Sequence, residues 1–234
     1  QAEDGIRDVE RSRGLGDVYK RQILDTLKHW GYVEQDPKTQ KYRLGLKLLE
    51  LGMAKLQQMD LVKEATPYLK ELVRKCNETV HLGVLEEGEV LYVAKEESSQ
   101  TIRMISYVGK RAPLHCTALG KLLLAYLTEE ERRKILEQKA LPPLTENTIT
   151  DKRELEKELA KVREQGFALD REENEKDVRC VAAPIRNYQG GVIAALSISS
   201  PIFRIDKNAQ NNLKEALIET SKKISKRLGY NGKL

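Results

Sequence analysis

Thr79-Val80-His81-Leu82-Gly83-Val84-Leu85, Glu86-Glu87-Gly88-Glu89 and Val90-Leu91-Tyr92-Val93-Ala94 run consecutively and decide the fold class. Two stretches rich in β-branched and large apolar residues flank a short acidic segment with one glycine, which predicts a β-hairpin. Downstream, Thr101-Ile102-Arg103-Met104-Ile105-Ser106 reads as a third strand. Helical spacing then predicts helices over Ala118–Leu127, Glu129–Gln138 and Lys152–Gln165, with Thr128 and Glu131 spaced as a capping box. Phe167-Ala168-Leu169-Asp170 is a short strand, and Val181–Tyr188 and Val192–Ser199 flank Gln189-Gly190-Gly191 as a second hairpin. A closing helix runs from about Asp206 to Leu228. This order predicts an α+β domain in which helices pack on one face of an antiparallel sheet.

Upstream of the hairpin, Leu61, Val62, Ala65, Leu69, Leu72, Val73 and Cys76 form an apolar helical stripe despite Pro67. Met59-Asp60 marks a break ahead of it, so a domain boundary is expected near residue 60. Leu46, Leu48, Leu49, Leu51 and Leu56 lie on a connector helix over 46–60 that is expected to pair with another chain. Earlier still, Tyr32–Gln35 and Lys41–Leu44 enclose the turn Asp36-Pro37-Lys38-Thr39-Gln40. A helix marked by Ile23, Leu24, Leu27 and Trp30 precedes them and stops at Gly31. A helix followed by a basic-tipped hairpin is the closing half of a winged helix-turn-helix. Lys38, Lys41 and Arg43 would supply its charge to a phosphate backbone. Residues 1–22 carry neither helical nor strand period, and Gly14 and Gly16 interrupt any amphipathic face. They are expected to be non-native or disordered, leaving 23–45 as a remnant of the winged domain.

The 234 residues carry 41 Lys and Arg against 36 Asp and Glu, a formal charge of +5. The excess is not in the hairpin region: residues 1–44 hold nine basic and eight acidic residues, whereas seven basic and two acidic residues follow from Lys207. Lys222, Lys223, Lys226 and Arg227 therefore read as a solvated helix face, and bulk charge does not establish DNA binding. No apolar run reaches the length of a bilayer span and no signal-peptide stretch opens the chain, so a cytoplasmic protein without membrane contact is expected. Cys76, Cys116 and Cys180 are odd in number and widely spaced, which argues against a disulfide framework.

A site for a small carboxylate needs fixed donors, and the backbone amides at a helix start supply them. Pro113-Leu114-His115-Cys116-Thr117-Ala118-Leu119-Gly120-Lys121 fits that role. Thr117 can cap, and the small Ala118 and Gly120 would let a ligand approach the backbone.

Six segments in co-linear order resemble the IclR family of bacterial transcriptional regulators. They are His29–Glu34, Tyr42–Gly45, Glu78–Leu82, Pro113–Lys121, Cys180–Ile185 and Ala195–Pro201. The resemblance implies a winged-helix DNA-binding domain, a dimerising linker helix and, over 61–234, a GAF-like effector-binding domain. It implies a homodimer or homotetramer that binds promoter DNA and a small organic acid, most simply as a repressor of carbohydrate or organic-acid catabolism. A 2-keto-3-deoxy sugar acid is the effector that family habit suggests. By the same resemblance, Ala118 and Leu119 would meet the effector carboxylate and Met104 would form an apolar wall. Asp170, Cys180, Ser197 and Ser199 would hold the other end. The family carries two further helices ahead of the segment matching Ile23, and no counterpart is legible in residues 1–22.

Each of these residues has a plainer reading. Ser197 and Ser199 would serve equally as outward residues of an amphipathic strand, Cys180 as a small core residue, and Asp170 as a turn cap. His81 and His115 read as core or rim histidines, and Lys110-Arg111 as a solvated loop near the pocket mouth. A metal site from Cys76, Cys116, Cys180, His81 and His115 lacks any close ligand spacing. A Cys180–His115–Asp170 nucleophilic arrangement has the residue types, but no nucleophile elbow or phosphate loop accompanies it. Neither an enzyme nor a cofactor is expected.

Overall fold

A computed structural model describes residues 18–57, 60–101, 104–204 and 207–232, the side chains of 52–57 and 207–209 excepted. The chain divides into two compact units, 1–59 and 60–234. Among the described residues no helix is long and apolar enough to cross a membrane.

The first unit contains a helix over 18–29 (α1), strands Val33–Gln35 (β1) and Tyr42–Leu44 (β2), and helix Leu46–Gln57 (α2). The helix is already formed at residue 18, five residues before the Ile23 at which an apolar period becomes visible. Its early turns leave Val18, Tyr19 and Ile23 exposed, so no buried stripe marks them in the sequence. The part of the 1–22 segment before residue 18 lies outside the described residues. Gly31 ends the helix with φ of +73°. Gly45 N–H donates to Tyr32 O at 2.8 Å, and a Cβ at Gly45 would lie 2.1 Å from Gly31 O. The two ends of the hairpin are thus locked together by a contact only glycine permits. At its tip, Asp36 Oδ1 accepts the Lys38 and Thr39 amides, both at 2.8 Å. These bonds hold the Asp36 carboxyl below its usual range.

The second unit opens with Leu61–Cys76 (α3), whose N-cap Asp60 accepts the Val62 and Lys63 amides. Then come strands Thr79–Glu86 (β3), Glu89–Glu96 (β4) and Arg111–Ala112 (β5), helices Ala118–Tyr126 (α4), Glu129–Gln138 (α5) and Lys152–Gln165 (α6), strands Ala168–Arg171 (β6), Val178–Arg186 (β7) and Val192–Pro201 (β8), and helix Lys207–Arg227 (α7). The capping box at Thr128 and Glu131 is formed. Six strands make one antiparallel sheet in the order β5-β4-β3-β8-β7-β6.

Two expectations are corrected. Helices cover both faces of the sheet, not one. Ala182 and Ala195 join the core formed by α4 and α6, with Leu122, Leu124, Leu155 and Leu159. The alternate residues Val181, Ala183, Leu196 and Ile198 are buried on the other face, where α3 and α7 contact β3, β7 and β8. Ser225 Oγ of α7 accepts the Arg186 amide at 2.9 Å, and Ser221 Oγ donates to Pro184 O. Lys222, Lys223, Lys226 and Arg227 are exposed on the outer side of α7, the solvated face that their spacing predicts. The predicted third strand is also absent from its described part. Ile102 and Arg103 lie outside the described residues, and Met104–Ser106 are irregular. Lys95 Nζ donates to Met104 O at 3.1 Å and Ser106 O at 2.7 Å, while Lys110 Nζ donates to Ile105 O at 2.9 Å. Lysine ammoniums occupy carbonyls that a ladder would have used. The edge strand is instead Arg111–Ala112.

Candidate functional site

Antiparallel pairing sets directly opposed residues on one face, and residues two apart share it. Asp170 pairs with Cys180, and Cys180 with Ser199, so the three side chains form one row across β6, β7 and β8. Ser197 stands in the next row, between Ala182 and His81. Above these rows lies the start of α4. Thr117 caps it, accepting the Gly120 amide at 3.0 Å and donating to Pro113 O at 2.6 Å. The first i→i−4 bond is Lys121 N–H to Thr117 O, so the Ala118 and Leu119 amides precede the helical ladder.

Rows and helix start enclose one cleft of about 500 Å³, counted out to its mouth. Met104, Ala118, Leu119, Asp170, Cys180, Ser197 and Ser199 all line it. Ser197 and Ser199 are buried and face inward, as are His81 and Asp170. Asp170 does both things proposed of it: it lines the cleft, and its Oδ1 caps the following turn through the Glu173 amide at 2.8 Å.

His81 and Tyr92 also line the cleft and were not among the expected residues, whereas Lys110, read as part of a loop near the pocket mouth, does line it. The rings of His81 and Tyr92 stack at 4.9 Å. A signal for His81 was present in β3, where Thr79, His81 and Gly83 alternate with Val80, Leu82 and Val84. The role assigned to Gly120 needs correction. A Cβ there would lie 2.4 Å from both Cα and O of Leu114, so its missing side chain admits the neighbouring backbone, not a ligand.

Burial dominates the electrostatics. It pushes the Asp170 carboxyl up to about 7, against the Glu173 amide bond and with help from the Glu173 charge. It pushes His81 down to about 3, reinforced by Lys95 and Lys110. It also raises the Cys180 thiol well above its usual range. Cys180 Sγ donates to Ser199 Oγ at 3.2 Å, and His115 bonds Pro142 O away from the cleft. A protonated thiol separated from the histidine assigned as its base is not an activated nucleophile. Among the described residues no group of His, Cys, Asp and Glu side chains is arranged to hold a metal ion.

Behind α4, Lys121 is fully buried, with Nζ 2.5 and 2.7 Å from the Glu173 carboxylate and 3.3 Å from Glu158. Glu173 lies three residues after Asp170, so this ion cluster fixes the loop that ends the cleft floor. In the first unit Lys38 and Lys41 are exposed on the hairpin, whereas Arg43 bonds Glu34 across it at 2.7 Å.

A sheet-floored cleft under a helix start, carried in a chain that also bears a helix–hairpin unit, has the layout of a small-molecule-binding domain joined to a second, smaller unit. A family model described as "Bacterial transcriptional regulator IclR C-terminal" matches residues 53–226. The regulator XynR of Escherichia coli is 40% identical over 225 residues, spanning 96% of this chain and 89% of that protein. KdgR of the same organism is 40% identical over 230 residues, 98% of this chain and 88% of its own. The latter match runs through most of residues 1–22, the stretch without a legible period. The crystal structure of Thermotoga maritima IclR superposes with a TM-score of 0.70 at 34% identity, covering 92% of this chain and 86% of that one. The chain belongs to the IclR family and is a transcriptional regulator with a C-terminal effector-binding domain.

Proposed function

We propose that the cleft beneath α4 is the effector site, that it takes a small organic acid, and that occupancy changes promoter binding by a homodimer or homotetramer, most simply as a repressor of carbohydrate or organic-acid catabolism. The single observation carrying this is the inward-facing polar row Asp170–Cys180–Ser199 opposite the first amides of α4 in one partly buried cleft. Amides at a helix start favour an anion, the polar row fixes its other end, and Met104 and Leu119 give an apolar wall. The exposed Leu46, Leu48, Leu49 and Leu51 support α2 as the pairing helix, and Lys38 and Lys41 support the hairpin as a phosphate contact. Regulation requires the acid to bind two arrangements of the assembly with different affinity.

A thermal-shift screen of small keto acids and sugar acids tests the site, because a ligand binding only the native state raises the midpoint. Ser199→Ala should weaken binding of a hit by about 1–2 kcal/mol with the fold retained. Unchanged affinity would place the acid elsewhere.

A further inference from the structure

His81 sits between the cleft floor and the segment over its mouth. Its Nε2 is 2.7 Å from Ser106 Oγ, and its Nδ1 is 3.5 Å from Ser199 Oγ. Cys180 donates to Ser199, which leaves the Ser199 proton free to be donated to Nδ1. In the tautomer that takes this proton, Nδ1 is the acceptor and Nε2–H the donor to Ser106. The Ser106 bond is short, whereas the Ser199 bond is at the outer limit for hydrogen bonding. Burial and the Lys95 and Lys110 charges keep the ring neutral, with Glu97 opposing them, so the lone pair persists at physiological pH. The cleft therefore offers donors at α4 and an under-used buried acceptor on its floor.

We propose that His81 is a specificity-determining residue: its Nδ1 accepts a hydroxyl of the bound acid, so the cleft selects hydroxylated acids over their plain-chain counterparts. An acid without that hydroxyl leaves Nδ1 buried and poorly satisfied, the situation in which polar sites discriminate most. The inference rests on the cleft being the effector site.

The test is isothermal titration of the full chain with 2-keto-3-deoxygluconate and with 2-oxohexanoate, a six-carbon keto acid without hydroxyls. The parent should bind the first at least about tenfold more tightly. His81→Phe keeps a ring against Tyr92; it should lose about tenfold for the hydroxylated acid and nothing for the other. Equal losses for both acids, or none, overturn the assignment of His81 while leaving the cleft intact. A parent that binds neither acid, or Ser199→Ala that alters neither affinity, sinks the cleft reading and this inference with it. Should His81→Phe fail to fold, ¹⁵N spectra of the parent decide, since the chain has three histidines to assign. The Nδ1 signal of His81 should move with 2-keto-3-deoxygluconate and stay with 2-oxohexanoate; no movement with the former overturns the proposal.

Discussion

One sheet shows two chemistries on alternate residues of the same strands. On the α3 and α7 face, Val80, Leu82, Val181 and Ile198 are buried among apolar neighbours such as Leu69, Leu72, Leu217 and Ile224. On the α4 face, the partners one residue along are Thr79, His81, Cys180, Ser197 and Ser199. One face is closed by hydrocarbon throughout, whereas the other combines a hydrocarbon core around Ala182 and Ala195 with a hydrogen-bonded cleft. The apolar face needs no partner to be stable. The polar face sets hydroxyl, thiol, imidazole and carboxyl groups around a cleft next to the first amides of α4, and that is what a ligand can use.

The largest effect should come from the ion cluster that supports the polar face. Lys121→Ala removes the cation but leaves Glu173 buried, which should cost about 3–5 kcal/mol in urea unfolding. Lys121→Met combined with Glu173→Gln should recover much of that loss, because the uncompensated charge is gone. A small effect from Lys121→Ala alone would mean that water or another cation replaces the ammonium. Leu72→Ala, on the apolar face, should cost about 2–5 kcal/mol through transfer and cavity terms. Effector affinity should be unchanged in that variant; a parallel loss of binding would show that the two faces are not independent.

Gly120→Ala probes the helix start over the polar face. The new Cβ meets Leu114 backbone at 2.4 Å, so either the helix start or the 113–117 segment has to move. Stability should fall by about 1–3 kcal/mol, and effector binding should fall with it because the Ala118 and Leu119 amides are displaced. Full affinity in a destabilised Gly120→Ala protein would remove those amides from the site.

The contrast between faces was only partly legible. Turn glycines and β-branched runs marked both hairpins, and Thr128 with Glu131 marked the start of α5, because these signals are local. The single-face packing was misjudged because β8, Val-Ile-Ala-Ala-Leu-Ser-Ile-Ser-Ser-Pro, alternates small with large as much as polar with apolar. Thr101–Ser106 has strand composition, but whether its carbonyls reach a ladder depends on Lys95 and Lys110, which tertiary structure brings over it. His81 shows the same limit. Its alternation in β3 was visible, but its place opposite Ser197 depends on strand order, and its stack on Tyr92 on a register shift at Leu82/Gly83. Of the seven candidate residues, Ala118 was marked by its place at a helix start and the others came through family resemblance; pairing across three strands is what gathers the sheet members into one cleft.

The effect most specific to the polar face is in pH, where two opposed contributions leave the parent with little net slope. Unfolded Asp and His titrate near 4 and 6.5. Between about pH 4 and 7 folded Asp170 retains a proton that the unfolded chain has released, so its contribution to stability is complete below 4 and lost as pH rises through 7. His81 behaves oppositely: between about pH 3 and 6.5 the unfolded chain carries a proton that the folded ring rejects, so its contribution is complete above 6.5 and lost as pH falls toward 3. From about pH 4 to 6.5 the two slopes oppose each other, each at most about 1.4 kcal/mol per pH unit. Asp170→Asn should therefore make stability rise more steeply with pH across that window than in the parent, and His81→Phe should make it fall. Denaturant midpoints at half-unit pH intervals distinguish these outcomes. Parallel curves for both variants and the parent would mean that neither group is desolvated as the cleft requires, and the apolar face alone would then account for the burial.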